Sequence, residues 1–336
     1  MDKDILKKYN KCIYCGSGAL KKEKKQFFPE NFYLKAIKHD LRLSKKKFEE
    51  MKVFKCEKCY ILQNNPWFTE SISKKIYSNI YGQHNRGWSN LLNFLKKGTE
   101  PDHGSLFNLL TKKIKIKNYA EFNSPFMGIF INFFTKEYKK SKLFYKNLSN
   151  NIFGYLTSRQ VAGKSKNYQK SSYKKSTKFF NDIVILKKKN QIKKKINKFL
   201  FVDNSNLCWG QNDNYKSVNS KSFASEIFDL KILSLDNKNI KVDLFGIFHT
   251  LDHTFQPKKI LDFALANSKL VIVYCHASKE LNKQHLFTFT SDFLKYLKSK
   301  KIYTCDLTQK IKKNYRSQEM YFLCSKQKRH ISNLKL

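Results

Sequence analysis

Two C-x-x-C pairs, about forty residues apart, constrain this chain more than any other feature of its sequence. The first pair is Cys12 and Cys15, followed directly by Gly16, where a tight turn needs a positive φ, and the second is Cys56 and Cys59. Each pair can present two thiolates to one metal ion from a tight turn, and two such turns make a closed tetrahedral zinc site. Disulfides and coincidence are the competing interpretations, but a reducing compartment disfavours the first and the paired spacing disfavours the second. The sequence therefore predicts a structural Zn²⁺ ion held by four cysteines.

The composition indicates one or two folded domains that carry a strong positive charge. The 336 residues are 41% hydrophobic, which is enough to bury a sizeable core. Lysine and arginine number 67 against 26 acidic residues, a formal net charge of +41 that attracts polyanions such as RNA. Arginine, whose planar fork grips phosphate best, supplies only five of the basic residues. We therefore attribute the excess of lysine mainly to A/T-rich codon drift rather than to a dedicated nucleic-acid surface.

The sequence contains no candidate membrane anchor or secretion signal. Its apolar runs, of which Phe126–Phe134 is the longest, fall short of the roughly 18–20 residues that a spanning helix needs. The first residues, MDKDILKKYNK, lack the apolar core of a signal peptide. We expect a soluble protein of the cytoplasm.

Composition and periodicity divide the chain into three predicted parts. Residues 1–65 hold both C-x-x-C pairs and form the predicted zinc-binding domain. Residues 66–110 are predicted to be a helical linker, because apolar side chains recur there at helical spacing. Residues 111–336 alternate between strand and helix patterns, with a Lys-rich insertion at about 140–197. We interpret this insertion as a solvated segment, and a basic arm that contacts a polyanion is the alternative.

Seven apolar runs predict strands in the third part of the chain. They are Ile114–Phe122, Phe199–Asp203, Ile227–Leu235, Val242–His249, Leu270–Cys275, Ile302–Leu307 and Met320–Cys324. A helix is predicted to begin at Pro257, and another after an N-cap at Thr290 or Ser291. The last two strands are joined by a polar stretch, so they can pair antiparallel. The pattern predicts an α/β fold with a doubly wound sheet of seven strands.

Four stretches of the sequence together resemble the motifs of one enzyme family. The first stretch is the pair of C-x-x-C motifs, the second of which runs through an apolar stretch to Gln63. The second is the tyrosine-rich segment Ile76–Asn90, similar to a linker that leans over the cofactor. The others are Val242–Pro257, similar to a motif that ends in Leu-Glu-His and a helix-opening proline, and Gln284–Thr290, similar to Glu-His-x-x-Tyr-Phe-Ser. In their order and spacing these stretches resemble class I S-adenosylmethionine-dependent methyltransferases that carry an N-terminal zinc-binding domain, a group that includes sugar C-methyltransferases.

The resemblance implies a seven-stranded Rossmann-like methyltransferase sheet, S-adenosylmethionine as cofactor, and a set of cofactor-binding residues. These residues are Tyr81 in the linker, Glu121, Asn123, Ser124 and Gly128 at the end of the first strand and in the following loop, Asp203 after the second strand, and His249 after the fourth. Asp203 would hold the ribose hydroxyls of the cofactor, although an ordinary strand-end aspartate is the alternative. Gly128 is the one glycine in a loop where the family has three.

The candidate catalytic residues are two histidines. His285 is the first candidate base, because it follows the carboxyl end of a predicted strand, where doubly wound sheets place their sites. His253 is the second; it neighbours Asp252 and is equally suited to orienting the cofactor. The resemblance implies methyl transfer to a small metabolite, a nucleotide-linked sugar in polysaccharide biosynthesis.

A second function stays open at this point. The loss of glycines from the cofactor loop and the charge of +41 favour a non-catalytic, methyltransferase-like binding protein, with RNA as one partner. No arginine–aromatic platform of the kind found in RNA-recognition modules is evident, so we rank this alternative below the enzyme.

Overall fold

Strands dominate the architecture of this protein. The computed structural model describes residues 6–26, 51–77, 110–122, 198–202, 231–233, 240–248, 250–278, 285–311, 319–332 and 334. Within these residues thirteen strands form sheets of two, four and seven strands. Besides a helical turn at 110–113, the same residues contain five α-helices of four to eleven residues and a short 3₁₀ turn. None of these helices is long and apolar enough to cross a membrane.

The largest sheet has the strand order β12-β13-β10-β9-β6-β7-β8. Its strands are β6 (Asn118–Phe122), β7 (Lys198–Val202), β8 (Lys231–Leu233), β9 (Val242–Phe248), β10 (Ser268–His276), β12 (Tyr303–Asp306) and β13 (Glu319–Ser325). The five strands from β8 to β10 run parallel, whereas β13 is antiparallel to both β10 and β12. After β6 the chain first builds outward through β7 and β8 and then returns to the other side of β6 with β9. The strand order therefore reverses between β6 and β9.

The apolar runs of the sequence explain the centre of this sheet. Strands β9 and β10 are buried along most of their length, as expected where both faces of a parallel strand are covered. Helix α2 (Pro257–Asn267) connects them, with proline in its first turn and Ile260, Leu261, Ala264 and Leu265 buried as predicted. Helix α3 (Phe293–Ser299) begins after Asp292 rather than at the predicted caps, and it buries the expected apolar stripe. The remaining helices are α1 (Glu70–Tyr77), α4 (Thr308–Ile311) and α5 (Lys328–Ser332).

The expected fold class, an α/β fold with a doubly wound, seven-stranded Rossmann-like methyltransferase sheet, is wrong. Each of the seven predicted strand positions contains a strand, and the last two pair antiparallel as expected. In the described ranges, however, strands far outnumber short helices, and α2 is the one helix that connects two parallel strands. The strands are also divided among three sheets. The reason is that apolar runs locate strands, but they do not show whether a helix layer covers each connection.

A second sheet, with the order β11-β4-β3-β2, contains strands from both halves of the sequence. Strands β2 (Leu20–Gln26), β3 (Lys52–Cys56) and β4 (Leu62–Asn65) come from the cysteine-bearing segments, but β11 (Phe287–Thr288) comes from the C-terminal half. A small third sheet pairs β1 (Leu6–Lys7) with β5 (Trp67–Phe68). The predicted boundaries at residues 65 and 110 stay predictions. The predicted linker helix around residue 90 and the insertion at 140–197 lie outside the described residues.

Gly246 in β9 allows a close contact at the point where the strand order reverses. Its Cα is paired with that of Glu121 in β6, and the Tyr119 hydroxyl donates a hydrogen bond of 2.6 Å to Glu121. A β-carbon at position 246 would lie 2.2 Å from the Tyr119 hydroxyl oxygen and 2.5 Å from a ring carbon of Phe248. Only glycine therefore fits between these two buried rings.

We expect Gly246→Ala to lower the free energy of unfolding by about 1–3 kcal/mol, because the added methyl group overpacks a buried site. Urea denaturation of the variant measures this loss. In a Tyr119→Phe background the same substitution should cost less than in the native protein, since the closest clashing atom is then absent from both members of the comparison. An equal loss from Gly18→Ala, where a β-carbon meets nothing within 4 Å, would contradict this explanation.

Candidate functional site

The first cysteine pair lies in a tight turn that has the form expected for a metal knuckle. The backbone N–H of Cys12 donates to Ser17 over 2.8 Å, and that of Gly16 donates back to the Cys12 carbonyl over 2.9 Å. Gly16 has a φ of +70°, a conformation that glycine adopts without steric cost. The glycine that follows the first C-x-x-C pair thus closes the turn as the sequence suggested.

The second cysteine pair repeats this geometry without a glycine. Cys56 donates its N–H to Ile61 over 2.9 Å, and Tyr60 donates to the Cys56 carbonyl over 2.8 Å. Tyr60, at the position that corresponds to Gly16, has a φ of +64°. A tyrosine in this region carries backbone strain, so the surrounding contacts must hold it there.

The two turns bring all four predicted cysteines together. The sulfur atoms of Cys12, Cys15, Cys56 and Cys59 lie within 4.8 Å of one another, with 3.4 Å between Cys12 and Cys59 and 3.6 Å between Cys15 and Cys56. A disulfide would need ~2.05 Å, whereas sulfurs around a tetrahedral Zn²⁺ ion lie ~3.8 Å apart. The contact between Cys12 and Cys59 lowers the pKa of the Cys12 thiol and raises that of the Cys59 thiol, because the two sulfur atoms share one hydrogen bond. The four cysteines could hold a metal such as zinc.

Gln63, the glutamine that follows the second knuckle, connects the two knuckles through its side chain. Its side chain is buried in β4 and accepts a 2.9 Å hydrogen bond from the backbone N–H of Ile13, inside the first knuckle. The same amide donates to the Lys11 carbonyl over 3.5 Å. Gln63 therefore fastens the strand that leaves one knuckle to the backbone of the other.

We expect Gly16→Ala to destabilise the metal-loaded protein by about 1–2 kcal/mol, because alanine resists a positive φ. The measurement is chemical denaturation, together with metal retention against a chelator. Gly18→Ala is the matched control, since a β-carbon at either glycine meets nothing within 4 Å and only Gly16 has a positive φ. Equal losses in the two variants would show that this turn does not depend on the left-handed conformation.

Three histidines surround a buried aspartate at the carboxyl ends of β9 and β10. Asp252 and His253 lie in the 3₁₀ turn after β9, His276 ends β10, and His285 precedes β11. Oδ2 of Asp252 lies 2.5 Å from Nδ1 of His276, 3.3 Å from Nδ1 of His285 and 3.9 Å from Nε2 of His253. It also accepts the backbone N–H of His276 over 3.0 Å. We call these four residues the Asp–His cluster.

The Asp–His cluster is an electrostatic unit. Burial of Asp252 by itself would raise the pKa of that carboxyl group, but the neighbouring histidines lower it well below the ordinary value. The ring centroids of His253 and His285 are 4.2 Å apart, and those of His276 and His285 are 4.7 Å apart. The side chain of His276 is 22% exposed, against 3% for His285 and 6% for His253. An ionised carboxylate thus faces three imidazoles, of which His276 is the one most open to solvent.

Such an arrangement can stabilise a positive charge. An aspartate that contacts a histidine nitrogen orients the ring and stabilises its protonated form, which suits the histidine for accepting a proton. The four donor atoms also lie within 4.8 Å of one another, which is close enough for them to share a cation. Asp252 already directs one oxygen at three histidines, so proton transfer is the chemistry that this geometry supports most directly.

The two predicted catalytic histidines therefore lie together, and the sequence analysis missed the third. His276 follows the apolar run that forms β10, and a polar residue at that position is the signal that could have found it. Asp252, which the sequence analysis paired with His253, contacts all three histidines.

Glu121 is the one predicted cofactor-binding residue in the part of the chain that the structure describes. It is buried near the carboxyl end of β6, where the strand order reverses and where open α/β sheets bind ligands. Its carboxylate suits a ligand that carries an ammonium or hydroxyl group, such as S-adenosylmethionine. The other predicted cofactor residues lie outside the described ranges: Tyr81, Asn123, Ser124, Gly128, Asp203 and His249.

Comparisons with known proteins give no independent identification. No protein-family model matches the chain, and no curated protein sequence matches it either. The resemblance to methyltransferases thus rests on the motifs in the sequence, and the case for a function rests on the geometry of the site.

Proposed function

We propose that this protein is an S-adenosylmethionine-dependent methyltransferase that acts on a small metabolite, a nucleotide-linked sugar in cytoplasmic polysaccharide biosynthesis. The observation that carries the proposal is the Asp–His cluster at the carboxyl ends of the parallel strands. This edge of a parallel sheet is where ligands bind in open α/β proteins, and Glu121 lies at the neighbouring strand end. The cytoplasm is part of the proposal because the described cysteines are all free thiols.

Each residue of the cluster has a role in the proposed reaction. When bound, S-adenosylmethionine supplies a methyl group on a positively charged sulfur. His285 would remove the proton from the acceptor atom, and the electron pair left on that atom would take the methyl group as the carbon–sulfur bond of the cofactor breaks and its electrons stay on sulfur. Asp252 stabilises the imidazolium that results. His276, the most exposed of the three rings, passes the proton on to solvent.

Glu121 is the residue that we assign to the cofactor side of the site. Its carboxylate accepts a hydrogen bond from the Tyr119 hydroxyl over 2.6 Å, which fixes its orientation. His253 packs against His285 and keeps that ring in place.

A specific observation keeps the second candidate function in view. The loop that follows β6 has one glycine where methyltransferases of this type have three, and the net charge is +41. A binding protein that has lost its cofactor would retain the zinc site and bind RNA through its charge.

We expect the metal-loaded protein to bind S-adenosylmethionine in isothermal calorimetry and to methylate a member of a nucleotide-sugar panel. His285→Gln should retain cofactor binding and lower the rate of methyl transfer by about 10²–10⁴-fold, the usual contribution of a general base. Glu121→Gln should instead weaken cofactor binding, because it removes the charge that faces the ligand. Mass spectrometry of the sugar nucleotide measures the transfer.

His330→Gln is the matched control, because His330 lies in α5 against the Lys269 carbonyl, at the amino end of β10. It should leave both cofactor binding and methyl transfer unchanged. A folded, metal-loaded protein that shows no heat of cofactor binding would refute the enzyme. RNA binding with a steep salt dependence would then support the alternative.

A further inference from the structure

The chain passes from His285, the last residue of the Asp–His cluster, directly into the cysteine-bearing sheet. His285 is followed by Leu286, whose carbonyl accepts the backbone N–H of Asn64 over 2.8 Å. Phe287 and Thr288 then form β11 and pair with β4, the strand that leaves the second knuckle. The position of His285 is therefore set from the side of the cysteine sheet as well as by Asp252.

Asn64 contacts the main chain of His285 itself. Its side-chain nitrogen donates a 2.6 Å hydrogen bond to the backbone carbonyl of His285, and both residues are buried. A backbone carbonyl buried without a donor is costly, so this hydrogen bond restrains the main chain at the cluster. Asn64 comes five residues after Cys59 along the chain.

Two further contacts join the knuckles to the same segment. The Thr290 hydroxyl donates to the carbonyl of Tyr60 over 2.8 Å, and Tyr60 is the residue with positive φ that follows Cys59. Tyr14, inside the first knuckle, packs its ring edge-on against Phe293 with centroids 4.8 Å apart. Both turns of the metal site thus contact the stretch that begins at His285.

We propose that Asn64 is a positioning residue that links the four-cysteine metal site to His285. A metal ion fixes the second knuckle, the knuckle fixes β4, and Asn64 with the β4–β11 pairing fixes the main chain of His285 beside Asp252. Loss of the metal then displaces the His285 ring from the carboxylate. The role of His285 as a base rests on the proposed function, but its positioning by Asn64 does not.

The test observes the His285 ring itself, in the full-length metal-loaded protein at one fixed pH. The chain has eight histidines, so ring ¹³Cε1 labelling gives a countable set of NMR signals. His285→Gln assigns the signal of His285 by its disappearance, and His330→Gln assigns a reference signal. We expect Asn64→Ala to shift the His285 signal and leave the His330 signal in place. Removal of the metal with a chelator should shift the His285 signal in the same direction.

Asn65→Ala is the matched control, because Asn65 has the same side chain at the next position of β4. Its amide bonds only to the backbone of Tyr9 among the described residues, over 2.9 and 2.8 Å. This variant should leave the His285 signal unchanged. If Asn64→Ala does not fold, as judged by the His330 signal, Thr290→Val replaces it and should shift the His285 signal by removing the contact with Tyr60.

The possible results separate this inference from the proposed function. An unmoved His285 signal in folded Asn64→Ala would overturn the inference, as would an equal shift in Asn65→Ala. A shift that is specific to Asn64 and to metal removal supports it even if the protein transfers no methyl group. If the protein transfers methyl groups but Asn64→Ala leaves the His285 signal unchanged, the proposed function stands and the positioning role of Asn64 is refuted.

Discussion

The strand β4 connects the cysteine-bearing segments with the segment that follows His285, because it pairs with a strand along each of its two edges. It is only four residues long, yet it pairs with β3 on one side and with β11 on the other. Its side chains add to this role, since Gln63 reaches the first knuckle and Asn64 reaches His285. Residues from the first 65 positions and from near position 290 are thereby fixed against each other. Contacts of β4 thus connect the four-cysteine cluster with the Asp–His cluster.

The buried carboxylate of Asp252 imposes the second constraint. Removing an ionised carboxylate from water costs several kcal/mol, on the order of what a whole domain gains on folding. The protein offsets this cost with a backbone N–H and with histidines that can carry positive charge. Burying this carboxylate therefore lowers the free energy that folding gains. A buried charge of this kind is typical of catalytic sites.

The sequence predicted some parts of this structure well, for reasons that are local. The spacing of the four cysteines predicted that their sulfur atoms would lie together, and the position of Gly16 predicted the turn with positive φ. The buried runs that became β9 and β10 were evident because parallel strands read as continuous apolar segments. The fold class failed because apolar runs locate strands but do not show whether a helix covers each connection. The residues Phe287 and Thr288 gave no sign that they would join a strand more than 220 positions earlier. His276 was missed for a related reason, since its contact with Asp252 exists only after two neighbouring strands have paired.

The place of β11 in the chain has a consequence for synthesis. A growing chain exposes both cysteine knuckles once the residues up to Cys59 have emerged, and a metal ion can close them from that moment. The outer edge of β4 must then wait for Phe287 and Thr288, which are made more than two hundred residues later. At the usual rate of translation this interval lasts on the order of ten seconds or more. Throughout it, the metal-bound segment presents an unpaired strand edge, which is the kind of surface that chaperones protect and that other chains can capture.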